Sequence, residues 1–245
     1  MILGFALLVA GMYFMGRSSM PNPDPAGRRP LKSRDLPVFI NLAAWLAEHH
    51  ATPNSISFLS IVFGAAAAAA LAATAHITGW QQHLCWLAAA AAIQLRLAAN
   101  LLDGMVAVEG GKGGPTGELW NEAPDRVADS IIFIGAGCAQ GSHLSLGFAA
   151  ALVAVFVAYV RALGASVGAG QIFLGPQAKP HRMAVMTATC VLLAIYPPSL
   201  VAMLPPGYFI LLALIIVIAG GLLTAARRLK RIAEFLRRKA LEKAP

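Results

Sequence analysis

From residue 57 to residue 78, and again from 206 to 226, the chain runs without a single Asp, Glu, Lys or Arg. About 20 apolar residues cross the hydrocarbon core of a bilayer as a helix. A backbone surrounded by lipid must also satisfy its own hydrogen bonds, which a helix does. Runs of this length therefore confine the chain to helices that span a membrane. Further apolar segments lie near 84–107, 127–141, 145–167 and 182–198, the third of them short unless its helix begins earlier, around Pro124. With 58% hydrophobic and 12% charged residues and a mean hydropathy of +0.68, a soluble domain is excluded. The expected fold class is all-α: a polytopic integral membrane protein with a six-transmembrane-helix bundle.

Lys and Arg set the orientation. Arg17, Arg28, Arg29, Lys32 and Arg34 precede the first span, Lys112 and Arg126 lie between the second and third, and Lys179 and Arg182 between the fourth and fifth. Arg227, Arg228, Lys230, Arg231, Arg237, Arg238, Lys239 and Lys243 follow the sixth. The alternate connections, HITGWQQH, QGSHLS and PPSLVAMLPPG, contain neither residue. Both termini and the 108–126 connection are thus expected to face the cytoplasm. The net charge of +8 then lies on the inner membrane surface, where anionic lipid accounts for it. Nucleic acid is not an expected partner, since no basic stretch carries interleaved aromatics. Cys85, Cys138 and Cys190 fall in apolar segments at no metal-ligand spacing and read as packing residues.

Three regions are expected. Residues 1–34 join a short apolar opening, read as an extra anchor or a mis-assigned start, to the Pro-rich linker RSSMPNPDPAGRRP. Residues 35–226 form the transmembrane domain, introduced by an in-plane amphipathic helix whose Phe39, Leu42, Ala43 and Leu46 recur at helical spacing. Pro53 is expected to end that helix, with Asn54 or Ser55 capping the first span. Residues 227–245 read as a basic tail helix with Leu229, Ile232, Leu236 and Ala240 on one stripe. Gly64 and the Ala runs at 65–70 and 88–92 leave room for close helix contact.

Six of the eleven acidic residues fall between 100 and 129. If the second span stays helical through 107, Asn100, Asp103 and Ala107 share a face, with Gly104 beside Asp103. After EGGKGGPTG a new helix beginning near Glu118 would carry Asn121, Asp125 and Asp129 along another face. Charges at this depth are expected to line a polar cavity and to be paired. Arg96 and Arg126 are too few to balance Asp103, Glu118, Glu122, Asp125 and Asp129. A hard divalent cation, which takes carboxylate and carbonyl oxygens and shares them with phosphates, would make up the difference.

This run resembles the signature of the CDP-alcohol phosphatidyltransferase family, Asp-x2-Asp-Gly-x2-Ala-Arg-x8-Gly-x3-Asp-x3-Asp. At matching spacing the chain has Asn100, Asp103-Gly104, Ala107-Val108, Gly117, Asn121 and Asp125. It looks like a variant branch, with Asn at two of the four signature Asp positions and Val108 in place of Arg; an Asn carbonyl can still ligate a cation but brings no charge. The resemblance extends over about 35–226. It implies transfer of a phosphatidyl or phosphoalcohol group from a CDP-linked lipid donor to an alcohol acceptor, with release of CMP, at the cytoplasmic face of a bacterial-type inner membrane, by a homodimer using Mg²⁺ or Mn²⁺.

The resemblance also implies roles. Asp103 and Asp125 are catalytic, Asp125 as general base; Asn100, Asp103, Asn121 and Asp125 hold metal, with Asp129 restoring charge. Gly104, Ala107 and Gly117 let the cytidine diphosphate approach the backbone. Arg161, in AYVRALG, and Lys179 and Arg182, in GPQAKPHRM, resemble a cationic acceptor site. Plainer readings stand beside these: Arg96 pairing with Asp103 or a carbonyl instead of a donor phosphate, Arg161, Lys179 and Arg182 as inner-surface anchors, and His181 as incidental. Glu109, Lys112 and Glu118 read as solvated loop charges, and Trp45, Trp80, Trp86 and Trp120 as interface or packing residues. The rival functions are a family relic that binds a cytidine nucleotide or lipid headgroup without turnover, and a transporter using the acids as relays.

Overall fold

The computed structural model describes residues 36–49, 51–109, 117–196, 204–205 and 207–242. Expectations for residues 1–34, for Lys112 and for the tail beyond 242 lie outside them. Among the described residues there are seven helices and no strand: α1 Pro37–Glu48, α2 Pro53–Ala73, α3 Trp80–Glu109, α4 Gly117–Gly137, α5 Leu144–Ser166, α6 Lys179–Ile195 and α7 Tyr208–Leu241. Four stretches are long and apolar enough to cross a membrane: Pro53–Ala73, Trp80–Ala107, Leu144–Ser166 and Tyr208–Leu241. α4 and α6 differ for stated reasons. The first turns of α4 hold Glu122, Asp125, Arg126 and Asp129, and α6 has 17 residues, opening with Lys179 and Arg182. The chain is an all-α, multi-pass membrane protein.

The helix expected to lie in the membrane plane forms as α1, and its packed face is Phe39, Ala43, Leu46 and Ala47 against Leu102, Met105 and Val106 of α3. Leu42 of the expected stripe is instead exposed. The cap of α2 is Thr52 rather than Asn54 or Ser55. Pro53 occupies the first helical position, where its missing N–H costs nothing, so the cap falls on the residue before it. Thr52 Oγ1 accepts from Ser55 N, and Ser55 Oγ from Thr52 N, each at 3.2 Å. The expected tail helix is continuous with the sixth span. At 1.5 Å per residue, the 34 residues of α7 run about 50 Å, well beyond a core about 30 Å thick.

Small residues draw the helices together, as their runs in the sequence suggested. A Cβ on Gly135 of α4 would stand 2.5 Å from the Ala68 Cα of α2, and one on Gly64 would stand 3.1 Å from the Ala128 Cβ. Large apolar side chains point outward instead: Phe58, Val62, Phe148, Leu152, Ile215 and Leu222 are all exposed. Trp86 is buried, whereas Trp45, Trp80 and Trp120 are exposed.

The connections without Lys or Arg meet at one end of the bundle. Gln82 Nε2 donates to Thr74 O at 2.7 Å and to Gln140 Oε1 at 2.8 Å, and Gln140 N donates to Thr74 Oγ1 at 3.0 Å. Gly207, at φ 75°, packs so closely on Gly141 that a Cβ would overlap its carbonyl. The ionisable groups of α3, α4 and α6 gather at the opposite end.

Candidate active site

Asp103 lies near the end of α3, and Asp125 and Asp129 lie one turn apart on α4, all three buried. Asp103 is fixed from α2, where the Ser57 hydroxyl donates to its Oδ2 at 2.7 Å. Asp103 Oδ1 meets no hydrogen-bond donor among the described residues. An unmatched carboxylate oxygen in a buried place is costly unless something positive comes to it.

Asp125 is held from two sides. Arg96 Nη2, from two turns deeper in α3, donates to Asp125 Oδ1 at 2.9 Å and to the Asp125 carbonyl at 3.2 Å. Lys179, at the start of α6, donates through one ammonium to both Asn100 Oδ1 and Asp125 Oδ2. Lys179 stands ahead of the apolar stretch of α6; burial and the Arg96 charge pull its ammonium down to about 8, against the opposing pull of Asp125 and Asp129. Arg126 lies 3.7 Å from Asp125 Oδ2.

Asp129 Oδ2 accepts from Arg182 Nη2 at 2.6 Å, and its Oδ1, which has no hydrogen bond among the described residues, lies 2.7 Å from Arg96 Nη2 in an ion pair. Asp129, expected among the metal ligands, is thus paired with two guanidiniums. Arg96 likewise pairs with Asp125 and Asp129, not with Asp103. Arg161 contacts Glu122, which also lies 3.3 Å from Arg126, and donates to Gln171 at 3.3 Å. Of the expected acceptor cations, Lys179 and Arg182 join the Asp125 cluster, whereas Arg161 sits on Glu122 at its edge.

Gly104 faces open space, with no atom within 4 Å of a Cβ built there, and Ala107 is partly exposed. Protein packing therefore sets no limit on side-chain size at 104. For Gly117, Glu118 and Asn121 the structure describes the helix and not the side-chain surroundings.

The site also holds more positive charge than Arg96 and Arg126 alone. Among the described residues Arg96, Arg126, Arg161, Lys179 and Arg182 face Asp103, Glu122, Asp125 and Asp129, so cations outnumber carboxylates. No three Asp, Glu, His or Cys side chains among the described residues form a metal cluster. What does fit a hard cation is an all-oxygen set of Asp103, whose Oδ1 is unmatched, Asp125 and the Asn100 carbonyl. Ser57 was missed in the sequence; its one signal is a polar residue on the small-residue face of α2 shared by Ser60, Gly64 and Ala67.

These features define a class: a multi-pass helical membrane protein with buried acids and bases at one end of its bundle. Within that class the structure is similar to phosphatidylinositol phosphate synthase (PgsA1) of Mycobacterium tuberculosis solved with CDP-DAG bound. The TM-score is 0.60 at 16% identity, covering 80% of this chain and 94% of that one. The same synthase in complex with manganese and citrate gives a TM-score of 0.61 at 18% identity, covering 79% and 88%. In sequence, the inner membrane protein YnbA of Escherichia coli (strain K12) is 24% identical over 153 residues, 62% of this chain and 73% of YnbA. No family model matches the chain. The chain thus has the fold of a CDP-alcohol phosphatidyltransferase, as the signature spacing led us to expect.

Proposed function

We propose that this chain is a membrane phosphotransferase that moves a phosphatidyl or phosphoalcohol group from a CDP-linked lipid, such as CDP-diacylglycerol, to an acceptor hydroxyl and releases CMP. The observation that carries this reading is the unmatched Asp103 Oδ1 beside Asp125, inside a surplus of cations and next to the open space at Gly104. The site faces the cytoplasm at the end of six spans, following the distribution of Lys and Arg, and the working unit is a homodimer. The fold's likeness to a CDP-DAG-bound synthase supports the donor class.

Asp103, Asp125 and Asn100 would hold a divalent cation, Mg²⁺ or Mn²⁺. Bound there, it neutralises charge that gathers on the leaving CMP. Asp125 takes the proton of the acceptor hydroxyl, whose oxygen forms a bond to the donor phosphorus as the bond to the CMP oxygen breaks. Arg96 keeps Asp125 aimed through its carboxylate and its backbone carbonyl together. Gly104 and Ala107 leave room for the cytidine diphosphate, and the cations of α6 attract the acceptor.

The test is CMP release from CDP-diacylglycerol by the purified protein, with a panel of phosphorylated and unphosphorylated alcohols and with Mg²⁺ and Mn²⁺ varied. The expected result is acceptor-dependent release that a chelator abolishes. A second reading, a relic that binds the nucleotide without turnover, is favoured by Lys179 lying across Asn100 and Asp125. It predicts CDP-diacylglycerol binding with no CMP under any condition.

Gly104→Ala is a narrower check. Since the added methyl meets no protein atom, the melting temperature in detergent should hold, and Ala is even the better helix former by about 1 kcal/mol. Affinity for CDP-diacylglycerol should fall by about tenfold, the equivalent of about 1.4 kcal/mol. Unchanged affinity would remove Gly104 from the donor site.

A further inference from the structure

We infer that Lys179 supplies positive charge to the site from the protein itself, so that the site takes a single divalent ion and has no place for another. This rests on the phosphotransferase reading above and concerns the same site.

Three observations lead here. The Lys179 ammonium donates to Asn100 Oδ1 and to Asp125 Oδ2, on α3 and α4 respectively, and so already brings one positive charge to oxygens proposed as ligands. Asn100 brings a carbonyl oxygen without charge. The five cations and four carboxylates of the described site leave one positive charge over before any metal arrives. One divalent ion raises that surplus to three, and the two charges of a diphosphate diester return it to one. A second ion would leave three charges unmatched at a buried site, where such an excess is costly.

A place for one ion does remain. Asp103 Oδ1 is buried and meets no donor, while its other oxygen is held by Ser57. The charge of Asp129 is already balanced by Arg96 and Arg182, which lie 2.7 and 2.6 Å from its two oxygens. The ammonium is also well anchored. Lys179 opens α6 with Pro180 behind it, and Ala178 at the cap is buried.

The measurement is a Mn²⁺ titration of the purified full-length protein in detergent, counting bound ions from the electron paramagnetic resonance signal of free Mn²⁺. Neither nucleotide nor turnover enters it. Wild type is expected to bind one Mn²⁺ per chain. Lys179→Met combined with Asn100→Asp removes the ammonium and restores a carboxylate, and should bind two. Lys179→Arg with Asn100→Asp keeps the cation and should still bind one. Two ions in wild type overturn the inference, as does one ion in the Lys179→Met combination with helix content retained. Where that combination does not survive purification, the wild-type count decides alone: one supports the inference, and two or none overturns it. Failure of the phosphotransferase reading looks different, because CMP release would then be absent whatever the ion count.

Discussion

Asp125→Asn is expected to lower CMP release about 100- to 10,000-fold, the range lost with a general base. The substitution keeps the side chain's size, and Asn Oδ1 can still accept from Arg96 or Lys179, though its NH2 then faces the other cation; the comparison is therefore made on folded protein. What it removes is the group able to take the acceptor's proton. Asp103→Asn should produce a different pattern. The base survives there, but the oxygen that meets no donor becomes part of a neutral amide, and Mn²⁺ affinity should fall more than in Asp125→Asn. Rates of CMP release and Mn²⁺ affinities, measured on both variants at equal folded fraction, separate the two roles. An Asp125→Asn protein that retains half the wild-type rate would take the base away from Asp125. Unchanged ion and nucleotide affinity in the doubly neutralised protein would remove the enzymatic assignment altogether.

The division between what could and could not be read in advance follows from sequence separation. Asn100, Asp103 and Gly104 share one helix end, and Asp125 and Asp129 another, so the period of 3.6 residues placed them by local geometry alone. That Gly64 would lie against a neighbour also followed from the absence of bulk around it. The identity of that neighbour did not, because nothing local says which spans touch. The cations were hidden for the same reason: Lys179 and Asn100 are 79 positions apart, and Arg182 and Asp129 are 53. Counting only the nearby Arg96 and Arg126 left out Arg161, Lys179 and Arg182 and so understated the positive charge at the site.

Arg96 is the exception, since its partner could have been narrowed. Seven residues before Asp103, it lies on the same face of α3 but about 10 Å deeper at 1.5 Å per residue. Asp103 was therefore a poor partner, and a residue on a facing helix a better one. The length of α4 was partly legible too: a start near Glu118 was expected from the Asn121, Asp125 and Asp129 spacing, and the helix begins at Gly117. Its many charges are why it lacks the apolarity of the four long spans.

Asp129→Leu tests whether the later acid serves the ion or the arginines. Asp129 is 1% exposed and Arg182 2%. Removing one member of a buried ion pair strands the other and typically costs about 3–5 kcal/mol. In this variant Arg96 keeps Asp125, while Arg182 loses the one carboxylate that holds it among the described residues. A large drop in unfolding free energy in detergent is expected. Adding Arg182→Met removes the stranded guanidinium, and most of the lost stability should return, since replacing a buried pair with apolar groups is often close to neutral. The coupling from the double-mutant cycle should reach at least about 1 kcal/mol. Function supplies the second axis. If Asp129 acts only through the arginines, the double variant should bind Mn²⁺ as wild type does, and its defect should lie in KM for the acceptor, because Arg182 is among the cations of α6. A double variant that regains stability yet no longer binds Mn²⁺ would return Asp129 to the metal site, and the open oxygen of Asp103 would then need a different explanation.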